Sequence, residues 1–232
     1  MPFRNPVPGE DRPRRIGLVT IGQSPRSDVV PRMLPHLGAV EVIEAGALDG
    51  LGPQDLALLE PQDPHRVLVT RLRDGSSVRV DKDLVLSRMK DSVARLEKEG
   101  VSLIVLLCTG TFPRMGSGAL VLEPDRILRH VVLGVHRDGL LGVMVPLEEQ
   151  IDTVRNRWQE LGIDVAVAAG SPYGSTGERL RAAQALRAAG ATLVVLDCMG
   201  YTAAMKEEIR PIAGCPVIVA HEAVARVAGA LL

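Results

Sequence analysis

The chain has 232 residues, of which 46% are hydrophobic and 24% charged, and its formal net charge is -1. This size buries enough apolar surface to fold without disulfides or metal, and the charge balance excludes the basic excess that nucleic-acid backbones require. Because aromatic residues make up only 2%, there are few platforms for stacking on bases or sugars, so we expect a small polar ligand and no nucleic acid.

The N-terminal segment is rich in Pro and charge and lacks the apolar stretch of a secretory signal. No apolar run reaches the roughly 18 to 20 residues of a membrane span. The three cysteines form no CxxC pair, which argues against a disulfide framework and a zinc site. We therefore predict a disordered tail at residues 1–14 and a cytoplasmic protein without a membrane partner.

The first predicted strand is the apolar run at residues 15–21, closed by glycine. The segment after it begins like a helix, with Ser24 as N-cap and Pro25 at the first helical position. A second strand is predicted at residues 40–45. Two β-rich runs around an Asp-Gly turn at residues 66–83 predict a hairpin, which we interpret as an insertion.

The later segments alternate between amphipathic and apolar runs. Helices are predicted at 83–100, 147–162 and 177–190, strands at 101–108, 139–145, 164–170 and 191–198, and a final strand and helix within 215–232. The polar segment 123–129 is interpreted as a solvated helix face. Strands that alternate with helices predict an α/β fold with mainly parallel sheets covered by helices on both faces.

An internal repeat is the most informative feature. KEGVSLIVLLCTGTFP in the first half matches AAGATLVVLDCMGYTA in the second in its helix end, Gly, apolar strand, Cys and Gly, and IGLVTIGQSP matches LGVMVPLEEQ more weakly. The repeat favours an internal duplication over the general similarity that any two βαβ units share. We therefore predict two pseudo-symmetric α/β lobes at residues 15–115 and 116–232, with a C-terminal segment that could pack back on the first lobe.

Cys108 and Cys198 end the two echoing strands, and ligands bind at the carboxyl ends of parallel strands. Each cysteine could instead be a small buried hydrophobic residue. This is the interpretation we give to Cys215. Each of the two candidates is followed within two residues by a Gly that lets backbone approach a ligand. Two thiols on opposite faces of a carbon acid could remove and return a proton without a cofactor, whereas one alone could attack a carbon covalently.

Further candidate ligand-binding residues follow the predicted strands. Gln23, Ser24 and Arg26 follow the first strand, where Arg26 could clamp a carboxylate; the alternative is capping by Ser24 and a solvated Arg26. Ser171 begins a Gly- and Ser-containing loop that could cradle an anion or be an ordinary turn, and Pro146 opens the second half. His221 could act as acid or base or simply cap the last helix. The candidates beside the cysteines are Thr109, Gly110, Thr111, Gly200 and Tyr201.

Four ordered motifs carry a family resemblance: IGLVTIGQSPR, LEPDRIL at residues 122–128, GVMVPLEEQ and LDCMGY. They resemble the AroM family, which is similar in turn to the aspartate/glutamate/hydantoin racemase superfamily. The resemblance implies a two-lobed α/β fold with one cysteine per lobe across a central cleft. It also implies that Thr109, directly after the first cysteine, helps to hold a substrate carboxylate, whereas Met199 stands at the corresponding place after Cys198.

These observations favour a cofactor-independent racemase or isomerase acting on a small carboxylate or amino-acid-like substrate, with Cys108 and Cys198 as acid and base. A one-cysteine covalent mechanism is the second version. A non-catalytic binding or regulatory protein with a degenerate cleft is the alternative from a different class. No metal is expected, because the remaining histidines lack ligand spacing, and the resemblance leaves a homodimer possible.

Overall fold

The computed structural model describes residues 14–232, so the predicted tail lies outside the described residues except for Arg14, which begins the first strand. The first half contains strands β1 (Arg14–Thr20), β2 (Val40–Gly46), β3 (Val67–Arg71), β4 (Ser77–Asp81), β5 (Leu103–Leu106) and β6 (Leu120–Leu122), with helices α1 (Val30–Leu37), α2 (Pro53–Ala57), α3 (Lys82–Lys98) and α4 (Pro124–Val135). The second half contains strands β7 (Leu140–Val145), β8 (Val165–Ala169), β9 (Ala191–Leu196) and β10 (Val217–Val219), with helices α5 (Ile151–Gln159), α6 (Thr176–Ala188), α7 (Ala203–Ala213) and α8 (Ala220–Gly229).

Two four-stranded parallel sheets organise the chain, with strand orders β2-β1-β5-β6 and β10-β9-β7-β8. Numbered along the chain within each half, both sheets have the order 2-1-3-4. The second strand of each half lies outside the first, and the third and fourth follow on the other side. The predicted α/β fold with two pseudo-symmetric lobes is therefore confirmed.

Two glycines occupy equivalent positions in the first strands of the two halves. Gly17 of β1 lies opposite Ile104 of β5, and Gly142 of β7 lies opposite Val194 of β9. A Cβ atom on Gly17 would come within 2.8 Å of Leu96 in α3, and one on Gly142 within 2.9 Å of the β9 residue Ala191. In both halves the missing side chain lets the central strand and its neighbours pack closely.

The apolar core joins the two sheets. Its largest cluster combines residues of β1 and β5 with residues of β7 and β9, and with the inner faces of α1, α4, α5 and α8. A second cluster lies between the first sheet, α3 and the hairpin, and a third between the second sheet, α6 and α7. The last helix, α8, packs against α1 of the first half. The C-terminal segment thus packs back on the first half, as the sequence analysis allowed.

The predicted hairpin is confirmed as the antiparallel pair β3 and β4, with Val67 opposite Asp81 and Arg71 opposite Ser77. It stands outside both parallel sheets. The Asp81 side chain accepts the N–H of Asp83 at 2.8 Å and caps the start of α3, so the hairpin leads directly into that helix. This position makes the hairpin an insertion into the first half.

One local expectation differs from the structure. The first helix begins at Val30 and not after Ser24, because the Ser24 hydroxyl, which would cap a helix by accepting an N–H, donates instead to Asp49 at 2.6 Å. The prediction also did not include the three-residue strand β6 or the helices α2 and α7. Because β6 pairs with β5 in the first sheet, we propose that the boundary between the halves follows α4.

None of the helices within residues 14–232 combines the length and apolar character needed to cross a membrane.

Candidate active site

The two candidate cysteines occupy equivalent positions beyond the third strand of each sheet. The N–H of Leu107 extends β5 by donating to Val19 of β1 at 2.7 Å, and the N–H of Asp197 extends β9 by donating to Met144 of β7 at 2.9 Å. The next residue in each case is a cysteine. Cys108 and Cys198 are both half-buried, and both line one cavity of about 430 Å³ between the halves, a volume suited to a small molecule.

Each thiol accepts a backbone hydrogen bond from the glycine two residues ahead. Gly110 donates its N–H to the Cys108 Sγ atom at 3.3 Å, and Gly200 donates to the Cys198 Sγ atom at 3.5 Å. Burial nevertheless raises the pKa of Cys108 to about 12 and that of Cys198 to about 11. Both sulfurs are therefore mainly protonated at neutral pH, although the amide hydrogen bonds favour their anions.

Arg157 of α5 contacts both of the loops that carry the cysteines. Its Nη1 atom donates to the carbonyl oxygen of Thr109 at 3.3 Å, and its Nη2 atom lies 2.5 Å from the Asp197 carboxylate. The Thr109 hydroxyl donates to the carbonyl oxygen of Asp197 at 3.0 Å. Residues beside both cysteines thus share one hydrogen-bond network.

Asp125 of α4 also belongs to this network. Its side chain is 3% exposed and lies 3.0 Å from Arg157 Nη1 and 2.6 Å from Arg129 Nη2, and it accepts the Thr111 hydroxyl at 3.0 Å. The interpretation of residues 123–129 as a solvated face is therefore wrong for Asp125. The carboxylate turns inward because two guanidinium groups compensate its burial.

Arg26 lines the other side of the cavity, but its guanidinium is already engaged. Asp28 accepts from Nε at 2.7 Å and from Nη2 at 2.9 Å, and Thr20 accepts from Nη1 at 2.9 Å. The Nη2 atom also donates to the Tyr173 hydroxyl at 3.2 Å. Arg26 is 3% exposed and so brings a fixed positive charge to the site; its binding of a carboxylate stays a prediction.

The β3–β4 hairpin forms one wall of the cavity, mainly through residues of β3. It also contacts the second half at three points. Gln150 donates to the Val67 carbonyl at 3.2 Å, Arg79 pairs with Glu149 at 2.5 Å, and the Arg71 guanidinium lies 5.4 Å from the centre of the Tyr173 ring. The insertion therefore bridges the cleft.

Seven of the residues proposed from the sequence line this cavity, and six lie outside its lining. Those that the structure brings together are Arg26, Cys108, Thr109, Gly110, Thr111, Pro146 and Cys198. Those outside are Gln23, Ser24, Ser171, Gly200, Tyr201 and His221. Their roles in substrate binding stay predictions, and the geometry shows what several of them contact.

Three of the six outer residues hold the loops around the cavity. Gln23 Oε1 accepts the N–H of Arg73 in the hairpin turn at 2.9 Å, and Ser24 is held by Asp49 as described above. The Ser171 hydroxyl accepts the N–H of Tyr173 at 3.1 Å and so shapes the loop after β8.

The remaining three lie in the second half. Gly200 supports the thiol through its N–H, and the Tyr201 hydroxyl donates to the Gly170 carbonyl at 2.7 Å inside the second half. His221 is buried at the start of α8, and burial lowers its pKa to about 4. It is therefore neutral at physiological pH. Over residues 14–232, no group of three or more His, Cys, Asp or Glu side chains could hold a metal ion.

Sequence reasoning missed Tyr173 and Arg157. Both line the cavity beside the cysteines. Tyr173 lies in the loop that the sequence suggested as an anion-binding loop. The sequence therefore indicated the loop but not this residue. Arg157 lies on an ordinary amphipathic helix, and its partners Asp125 and Asp197 are distant in sequence, so only the fold identifies it.

Comparison with protein families gives a match over nearly the whole described chain. A family model described as "AroM protein" matches residues 16–232. No curated protein sequence matches at a significant level.

Solved structures with the same fold include three kinds of enzyme. An unliganded arylmalonate decarboxylase is 15% identical, with 94% of this chain and 92% of that chain covered and a TM-score of 0.60. Glutamate racemase from Aquifex pyrophilus is 18% identical, with coverage of 94% and 84% and a TM-score of 0.60. Maleate cis-trans isomerase from Nocardia farcinica, bound to TRIS, is 16% identical, with coverage of 91% and 89% and a TM-score of 0.57. At these identities the likeness shows a shared two-lobed fold.

Proposed function

The chain belongs to the AroM family, and from this premise and the cleft geometry we propose that it is a cofactor-independent racemase or isomerase. Its substrate is a small carboxylate or amino-acid-like molecule. The observation that carries the proposal is the pair of thiols, Cys108 and Cys198, at equivalent strand ends of two matching halves that line one cavity. Two thiols on opposite faces of one carbon atom could remove a proton from one side and return a proton to the other.

In the proposed reaction the thiolate of one cysteine takes the proton from the carbon next to the substrate carboxyl group. The C–H bond breaks, an S–H bond forms, and the electron pair is delocalised into the carboxyl group. The other cysteine gives its S–H proton to the opposite face of the carbon and becomes a thiolate. Atoms and charge balance without an external oxidant or reductant.

Five basic and three acidic side chains line the cavity, and this excess of basic groups supports an anionic substrate. Arg26 and Arg157 are fixed by carboxylates within the protein, so their geometry is set before a ligand binds. The loop at Gly110 and Thr111 lines the cavity beside Cys108 and is the proposed place for the carboxylate. In the second half Met199 lines the corresponding part of the cavity, so the proposal assigns carboxylate binding to the first half.

Proton exchange in D2O tests this proposal without a chosen substrate. A panel of small chiral carboxylates and amino acids is incubated with the protein in D2O, and loss of the proton signal on the carbon next to the carboxyl group is followed by NMR. We expect exchange with at least one compound, abolished in both Cys108→Ser and Cys198→Ser and unchanged in the control Cys215→Ser.

The pattern among the variants distinguishes the alternatives. Loss of exchange in only one of the two active-site variants would favour the one-cysteine mechanism. Absence of exchange across the panel, together with saturable binding of a carboxylate, would replace the enzyme with a binding protein.

A further inference from the structure

The two cysteine loops have different surroundings, although their backbones are built alike. At Gly110, beside Cys108, a Cβ atom would meet Leu68 Cδ2 at 3.3 Å and Phe112 Cε2 at 3.5 Å. Apart from the Cys108 sulfur itself, the atoms nearest to Gly110 are therefore apolar. An apolar neighbourhood favours the uncharged thiol over the thiolate.

At the equivalent Gly200, beside Cys198, the neighbour is the ring of Tyr173. A Cβ atom at this position would come within 2.6 Å of the phenol oxygen and 2.8 Å of the carbon that bears it. The absence of a side chain at Gly200 therefore allows the phenol to approach the loop of Cys198. This approach has no counterpart at Gly110 among the nearest atoms around that residue.

Arg26 sets the direction of the phenol. Its Nη2 atom donates to the Tyr173 oxygen at 3.2 Å, and Asp28 and Thr20 hold the guanidinium in place. Because the phenol oxygen already accepts from Arg26, its own O–H is available as a donor to another acceptor. Cys198 lines the same cavity as Tyr173.

Building on the function proposed above, we infer that Tyr173 is a positioning residue: oriented by Arg26, its hydroxyl donates to the Cys198 sulfur and makes Cys198 the first of the two cysteines to ionise. When one of the two thiols ionises, Cys198 is therefore the proton acceptor and Cys108 the proton donor. Burial raises the pKa of Cys198, and the N–H of Gly200, the charge of Arg26 and the hydrogen bond from Tyr173 lower it. Arg26 also lowers the pKa of Cys108, so the contact with Tyr173 is the feature that distinguishes Cys198.

Alkylation by iodoacetamide tests this inference, because only the thiolate reacts. The two cysteines are modified to low extent in the same sample at a pH below both pKa values, and mass spectrometry gives the rate at each. In Tyr173→Phe we expect the ratio of the Cys198 rate to the Cys108 rate to fall, by up to about tenfold, since one pKa unit corresponds to tenfold in thiolate. Removing the hydroxyl also opens space beside the sulfur, so a merely steric role would raise the ratio.

Cys215, which lies outside the cavity lining, is the internal reference in the same samples; we expect its alkylation rate to be the same in Tyr173→Phe and in the wild type. An unchanged or increased ratio in Tyr173→Phe would overturn the inference. If Tyr173→Phe does not fold, the pH dependence of the two alkylation rates in the wild-type protein tests the inference. A lower pKa for Cys108 than for Cys198 would contradict it. The measurement needs no turnover, so its outcome is independent of the D2O experiment on the proposed function.

Discussion

One guanidinium group, that of Arg157, connects the loops that carry the two cysteines. It contacts the Thr109 carbonyl next to Cys108 and the carboxylate of Asp197 next to Cys198, and it also pairs with Asp125. Both carboxylates are almost fully buried. Buried carboxylates are tolerated only when they are paired, and Arg157 is the partner that the two share.

Replacing Arg157 with methionine keeps much of the side-chain volume and removes the charge. We expect Arg157→Met to lower the free energy of unfolding by about 3–5 kcal/mol, because Asp197 loses its ion-pair partner and Asp125 keeps only Arg129. Urea denaturation measures the change. The control is Arg155→Met on the same helix, whose partner Asp152 is 71% exposed; we expect a change within about 0.5 kcal/mol. Equal small effects of both variants would contradict a structural role for the network.

At the residue scale, the sequence identified the cysteines because a repeat placed them at matching strand ends. It could not identify Arg157, because charged residues on an amphipathic helix ordinarily face water. The same rule gave the wrong environment for Asp125. Pairing between α4, α5 and the loop after β9 arises only when the chain is folded.

At the scale of the elements, the central strand of each half is shaped by a glycine. Gly142 of β7 faces Ala191 and Val194 of β9, whose nearest atoms would lie 2.9 and 3.1 Å from an added Cβ. These short side chains are fixed close to their backbone and cannot swing aside. Close packing at this point therefore holds β7 and β9 tightly against each other.

We predict that Gly142→Ala lowers the free energy of unfolding by about 1–3 kcal/mol through overpacking. Gly134→Ala provides the control, since this glycine lies in α4 and an added Cβ would meet nothing within 4 Å. There alanine should stabilise by about 0.5–1 kcal/mol, because it restricts the unfolded chain and favours helix. Thermal or urea unfolding of the two variants gives the comparison, and a destabilisation by Gly134→Ala as large as that by Gly142→Ala would count against the packing argument.

The longer elements could be predicted from the sequence because their periodicity is strong. Strands β1, β5, β7 and β9 and helices α3 and α6 follow apolar runs and amphipathic patterns bounded by glycine. The start of α1 was misplaced because the Ser24 cap signal is used by Asp49. The three-residue strand β6 is defined by its pairing with β5 and has too few residues to show a pattern of its own.

At the scale of the whole molecule, the site depends on how two similar halves are joined. The main core cluster crosses from one sheet to the other, and the hairpin contacts the second half through Val67, Arg71 and Arg79. Equivalent cysteine loops are thereby brought to one cavity. Neither half alone contains both thiols.

The central claim is that Cys108 and Cys198 face each other across a gap that one small carbon skeleton spans. Cross-linking with 1,3-dibromoacetone in a Cys215→Ser protein tests it most directly, because the reagent joins two sulfurs through a three-carbon bridge. Peptide mass spectrometry should find a bridge between Cys108 and Cys198 within one chain, absent from Cys108→Ser and Cys198→Ser. Two separate adducts without a bridge would show that the sulfurs do not share a substrate-sized space, and would contradict the account.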